Sequence, residues 1–267
     1  MHFAERYGPW AVIAGASEGT GRAFSRKVAA KGVNCILIAR REGPLAELAS
    51  RLRAESGIEC LTATIDLTAA DATEQIIAAV GPRDVGLFIN NAGADPNGAH
   101  FLDKAIANWN ELVARNVLTT MRACYHFGGS MRQRGHGGII LVGSGACYGG
   151  ASALAIYSAT KAFDLCFGEG LWAELKPYNV DVLNLILGRT DTPAFRALLA
   201  SKGLPVPDGL ASPDHVADVG LARLPYGPVH NWGLQDEEAG YALSSAAARR
   251  ARVLAIDAAT GNILRKT

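Results

Sequence analysis

The stretch Ala14-Gly15-Ala16-Ser17-Glu18-Gly19-Thr20-Gly21 limits what this chain can fold into more than any other. It follows an apolar run over residues 10–15 and opens a helical pattern over residues 19–31. Three glycines at a strand-to-helix turn let a ligand approach the backbone. The helix start adds N–H donors and positive dipole charge. A turn of this kind belongs to a strand–helix–strand unit, so the rest of the chain should continue the alternation.

It does so. Apolar runs at 33–39, 58–65, 85–90, 139–143 and 180–187 read as strands. The stretches 43–55, about 69–80, about 107–133 and 156–176 read as helices; glycines at 135–138 end the long one and Pro177 the last. Near-continuous apolar strands between helices imply a parallel sheet buried on both faces. Right-handed crossovers then give a Rossmann-type, doubly wound α/β fold, with helices on both faces and a single domain over residues 1–267. After Leu187 the pattern changes. Pro193, Pro205, Pro207, Pro213, Pro225 and Pro228 punctuate a segment that reads as a mobile, substrate-covering loop with short helices at about 190–232. Residues 236–252 are helical by composition, and 253–257 read as a last strand.

With 49% hydrophobic residues the chain can bury a sizeable core, and its formal net charge of +1 gives it no electrostatic reason to seek nucleic acid or an anionic membrane surface. No apolar run reaches the roughly 18 residues of a membrane span. The five cysteines form no CxxC pair, which suits reduced thiols and a cytoplasmic location. His100, His126, His136, His215 and His230 share no ligand spacing, so no metal site is expected.

Tyr157 and Lys161 stand four apart on a predicted helix and therefore share a face. A phenol is a poor base near neutral pH, and a nearby ammonium favours its ionised form. Alone, Tyr-xxx-Lys is usually a surface pair. Here it sits among further residues in a set order. The first turn reads GxxxGxG, Asn90-Asn91-Ala92-Gly93 ends the fourth strand, Asn116 lies in the long helix, and Ser144 follows the fifth strand thirteen residues before Tyr157. Leu187-Gly188 ends the sixth strand, with Thr190 and Thr192 shortly after. As a set, over about residues 10–195, this resembles the short-chain dehydrogenase/reductase family.

The resemblance implies an oxidoreductase that moves a hydride between a nicotinamide cofactor and a carbonyl or secondary alcohol. Tyr157 would be the acid/base, Ser144 the group orienting the substrate oxygen, Lys161 the partner of the phenol and of the nicotinamide ribose, and Asn116 the holder of a water that links Lys161 to solvent. Gly15, Ser17, Glu18, Gly19, Thr20 and Gly21 would cradle the cofactor, with Asn90, Asn91, Ala92, Gly93, Gly188, Thr190 and Thr192 along it and Asp66-Leu67 flanking the adenine. In this family an acid at the end of the second strand usually marks NAD use. This chain has Ala39, then Arg40 and Arg41, so the expected cofactor is NADP(H), its 2′-phosphate held by Arg40 with Arg41 in support. Gly143 stands where a first serine is usual, and Leu187 where a proline is usual.

The start, Tyr7-Gly8-Pro9-Trp10, and Gly32-Val33-Asn34 are similar to reductases of long-chain 3-oxoacyl thioesters and 17-beta-hydroxysteroids, which implies an apolar small-molecule substrate. The resemblance also implies a homodimer or homotetramer; Phe163, Phe167, Leu171 and Leu175 form an apolar stripe that core packing explains equally well. Two other readings stay open: a non-catalytic, NADP(H)-sensing protein on the same fold, and a sugar-nucleotide epimerase, which also uses Tyr-xxx-Lys.

Overall fold

A computed structural model describes residues 2–150, 152–201, 203–232 and 250–251. Its strands are β1 (Trp10–Ala14), β2 (Asn34–Ala39), β3 (Cys60–Thr64), β4 (Val85–Asn90), β5 (Gly137–Ser144), β6 (Val180–Leu187) and β7 (Val229–Trp232). They pair in parallel in the order β3-β2-β1-β4-β5-β6-β7. The strand order reverses between β1 and β4, so the C-terminal ends of those two strands flank the crevice where an open α/β sheet binds ligands.

The helices are α1 (Phe3–Tyr7), α2 (Gly19–Ala29), α3 (Glu42–Ser56), α4 (Ala72–Val80), α5 (Ile106–Val113), α6 (Thr119–Arg134), α7 (Ala155–Leu175), α8 (Pro193–Ser201) and α9 (Pro213–Arg223). Strand alternation sorts the core into two layers. Ala11 and Ile13 of β1 pack with Phe24 of α2, Leu48 of α3 and Leu221 of α9; Val12 and Ala14 face Ile76 of α4, Phe127 of α6 and Trp172 of α7. The doubly wound, single-domain α/β architecture expected of the sequence is therefore what forms.

Several boundaries differ. The apolar runs at 33–39 and 58–65 are longer than the ladders they feed: β2 begins one residue later, and β3 begins two residues later and ends one earlier. The expected long helix at about 107–133 contains a π turn, Ala114–Leu118, between α5 and α6. α1 was not anticipated: five residues are too few to show a period. It is held by Tyr7 and Arg6, which donate to Asp181 of β6 at 2.7 and 2.8 Å.

The segment expected to cover the site at about 190–232 divides. α8 buries no residue, but Val216 and Ala217 of α9 are fully buried, and β7 closes the sheet beside β6. Its later part is core because the chain turns back at Pro228 to add a strand, a short run that the prolines disguise. Of the expected helix at 236–252 only residues 250–251 are described, and they are helical; the expected strand at 253–257 lies outside the described residues.

Candidate active site

The β1–α2 turn is built by close backbone approach. Gly15 sits at φ +76°, and a Cβ there would lie 2.9 Å from the Ala92 nitrogen. A Cβ at Gly21 would lie 2.0 Å from the Gly15 carbonyl oxygen. Asn91 donates from Nδ2 to that carbonyl at 3.1 Å, tying the end of β4 to the turn. Helix α2 starts at Gly19 behind Glu18, which makes no capping hydrogen bond. Thr192 leans on Gly19, 3.0 Å from where a Cβ would stand, and Ser17 and Thr20 complete the turn. The result is a backbone-lined cradle at a helix N-terminus, which fits a dinucleotide pyrophosphate.

At the end of β2, Arg40 is exposed. Its charge helps hold the Asp66 carboxyl below the ordinary range, after the larger effect of the Thr68 N–H that bonds it at 3.0 Å. Arg41 lies apart from this pair, its Nη2 2.5 Å from Glu18 Oε2. Leu67 is buried, and its carbonyl accepts from Thr119 Oγ1 at 2.9 Å. Asn90 is turned into the protein, donating to Thr120 Oγ1 at 2.7 Å.

Around the end of β5 the remaining residues converge. Ser144 ends the strand, and its Oγ accepts from the Ala146 N–H at 3.3 Å. Tyr157, half-buried, and Lys161 lie one turn apart on α7. The Lys161 Nζ reaches the end of β4: a Cβ at Gly93 would stand 2.6 Å from it. The ammonium donates to the Val142 carbonyl and to Asp164 Oδ2, each at 3.0 Å. Burial opposes its charge, but Asp164 and Tyr157 together outweigh this and hold Lys161 above the ordinary lysine range.

Asn116 falls inside the π turn and is buried, with Nδ2 3.1 Å from Thr160 Oγ1 and 3.5 Å from the Gly93 carbonyl. The turn aims the side chain at Gly93, as π-bulges at functional sites often do. Beside it, Arg115 donates to the Ala94 carbonyl at 2.7 Å; burial lowers its affinity for the proton.

Beyond β6, the Gly188 N–H donates to the Trp232 carbonyl at 2.8 Å. Thr190 is buried and bonds the Gly188 carbonyl at 3.3 Å, while Thr192 Oγ1 accepts from the Phe195 N–H and starts α8. Both sequence departures have physical reasons here. A Cβ at Gly143 would lie 2.5 Å from Ile186 Cδ1, so a serine there would require the end of the Ile186 side chain to shift. Leu187 pairs in register with Ser144 on one side and Trp232 on the other, a two-sided ladder that a proline would interrupt. Sequence reasoning missed Asp164 and Thr160. Asp164 carried a visible signal, an acid three residues after Lys161 on the same helix.

Residues 9–203 match the family model described as short chain dehydrogenase. The chain belongs to the short-chain dehydrogenase/reductase family. Among curated proteins this short-chain dehydrogenase is 32% identical over 195 residues to a 7beta-hydroxysteroid dehydrogenase of Clostridium sardiniense, covering 73% of this chain and 74% of that one. It is 34% identical over 209 residues to a very-long-chain 3-oxoacyl-CoA reductase of Laccaria bicolor, covering 77% of this chain and 62% of that one. Among solved structures, a 7beta-hydroxysteroid dehydrogenase superposes with a TM-score of 0.83 at 25% identity, covering 95% and 99% of the two chains. A short-chain dehydrogenase from Sphingobium yanoikuyae in complex with NADPH gives 0.77 at 26%, covering 97% and 96%. Membership makes the chain an oxidoreductase of hydroxyl or carbonyl substrates that works with a nicotinamide cofactor. No described helix is long and apolar enough to cross a membrane.

Proposed function

We propose that this short-chain dehydrogenase is an NADP(H)-dependent reductase or dehydrogenase of an apolar carbonyl or secondary alcohol, of 3-oxoacyl or steroid-like character. The observation that carries the proposal is the placing of the Lys161 ammonium against Gly93, one helical turn from Tyr157 and beside the strand that ends in Ser144. The nicotinamide, when bound, supplies the hydride or takes it up. Gly15, Ser17, Glu18, Gly19, Thr20 and Gly21 hold the phosphates, and Asn90, Asn91, Ala92, Gly93, Asp66, Leu67, Gly188, Thr190 and Thr192 line the rest of the groove. Asn90 contributes through its backbone, since its amide is committed to Thr120.

In reduction, Tyr157 gives its hydroxyl proton to the substrate oxygen as the carbonyl becomes an alcohol; in oxidation it takes that proton back. Ser144 donates to the same oxygen and fixes its position. Lys161 favours the ionised phenol and binds the ribose hydroxyls. Asn116 holds the water through which the proton is exchanged with solvent.

Arg40 supports NADP(H): it is exposed at the end of β2, where no acid stands to repel a 2′-phosphate. Arg41 is the weaker candidate, since Glu18 already occupies it. The apolar character of the substrate rests on Leu198, Leu204 and Val206, all exposed in and after α8, and on the names of the relatives. Leu118, Met121 and Tyr125 are exposed along the π turn and α6, which supports a homodimer or homotetramer through that face. Free thiols, three of them buried, suit a cytoplasmic setting. The test is NADPH oxidation by the purified protein against a panel of 3-oxoacyl thioesters, oxosteroids and small polar ketones. Turnover confined to the bulky apolar members is expected; turnover of the polar members alone would refute the substrate class, and none with any carbonyl would favour a cofactor-sensing protein.

A further inference from the structure

We infer that Asp164 is a positioning residue for the acid/base pair: its buried carboxylate is the counter-ion that keeps Lys161 charged and held against the end of β5. The inference rests on the proposed role of Tyr157 and Lys161. The geometry supporting it is local and unusual. Both side chains are almost wholly buried, at 3% and 2% exposure, and among the described residues their only ion pair is the mutual one at 3.0 Å. The second carboxylate oxygen, Oδ1, is buried and has no hydrogen-bond partner among the described residues. An acid left half satisfied in a protein interior carries a desolvation cost that an apolar residue of the same size would avoid. Packing therefore does not explain Asp164; its charge does.

The surroundings define what that charge acts on. Facing the pair are Tyr157 on the same helix, Arg115 of the π turn and Cys124 of α6, while Cys147 and Tyr148 pack against neighbouring Leu165 and Ile186. Arg115 opposes the ammonium, and Cys124 is buried with its thiol pushed far up by burial, so neither offers Lys161 a counter-charge. Burial pushes the Asp164 carboxyl above the ordinary carboxylate range, and Lys161 pulls it only part of the way back. Of the three Lys161 N–H groups, two are fixed by Asp164 and the Val142 carbonyl, which leaves the third for a ligand or the phenol. Asp164 thus does two things. It keeps the amine protonated far into alkaline pH, and it tempers the field that the ammonium exerts on Tyr157.

Removing the charge should move both properties towards lower pH. In Asp164→Asn the Lys161 amine, followed by 15N NMR in the cofactor-free protein and assigned with Lys161→Met, should lose its proton at least one pH unit earlier, a ten-fold change in the equilibrium. In the holoenzyme the pH profile for alcohol oxidation should shift the same way: the acid limb falls by roughly one unit, and activity is lost at alkaline pH where the wild type is still active. Asp164→Glu, which restores the charge, should recover most of the wild-type profile. An amine titration and a pH profile unchanged within about 0.3 unit in Asp164→Asn would overturn the inference. Should Asp164→Asn fail to fold, the wild-type titration decides alone: a Lys161 midpoint above about 10.4 supports the pairing, and one clearly below it refutes it. Absence of turnover in the wild type would refute the enzyme reading instead, leaving the NMR result to judge Asp164.

Discussion

The cradle between β1 and β4 and the segment from Gly188 to Ser201 face the same crevice but are specified in different ways. In the cradle, backbone meets backbone: Gly21 over the Gly15 carbonyl, Gly15 beside Ala92, Asn91 bonded across. Gly15 and Gly21 admit no side chain there for a steric reason. In the other, α8 buries no residue, and Leu198 within it and Leu204 just after it stand 42% and 52% exposed. Nothing in the fold dictates their identity, so their apolar character is free to answer to a substrate. The general lesson is that the cofactor end of such a sheet is fixed by close approach, whereas the substrate end is fixed by what it touches outside the protein.

That contrast can be broken by substitution. Gly21→Ala should have the largest effect, because its Cβ would stand 2.0 Å from a backbone oxygen that cannot move alone. A loss of about 3 kcal/mol, roughly 6–12 °C in Tm, is expected by thermal unfolding, with weaker cofactor binding in the folded fraction. Tm and affinity both within error of the wild type would show that the turn is not under this constraint. Arg40→Ala should leave Tm unchanged and weaken NADP(H) by about ten- to a hundred-fold, the value of a hydrogen bond to a charged group, with little effect on NAD(H). Calorimetry that finds both cofactors equally affected would remove Arg40 from the 2′-phosphate. Leu204→Ala should be smallest in stability, within about 0.5 kcal/mol, yet raise KM for an apolar substrate roughly five-fold. A stability loss without a KM change would make that stretch ordinary packing.

The same contrast explains what could be read in advance. The glycine turn, the alternation of strands and helices and the Ser144–Tyr157–Lys161 set were legible because each is a local pattern in the sequence. β7 was not: four residues after Pro228 carry no period, and their place is set by pairing with β6, far off in sequence. The π turn at Asn116 was hidden inside a helical pattern, since a single widened turn is too short to show a period of its own. Arg41 read as a phosphate ligand because Glu18, its partner, is 23 residues away. Asp164 was in view but looked like any charged helix residue until burial singled it out.

The central claim is that Tyr157 is the proton donor and acceptor of a nicotinamide-dependent reaction. The most direct measurement sets turnover of the best substrate beside NADPH affinity in the wild type and in Tyr157→Phe, which keeps the ring and removes only the hydroxyl. Unchanged affinity and a loss of turnover of at least about 10²–10⁴-fold, the usual contribution of a positioned acid/base, are expected. Near-native turnover in Tyr157→Phe, with cofactor still bound, would contradict it.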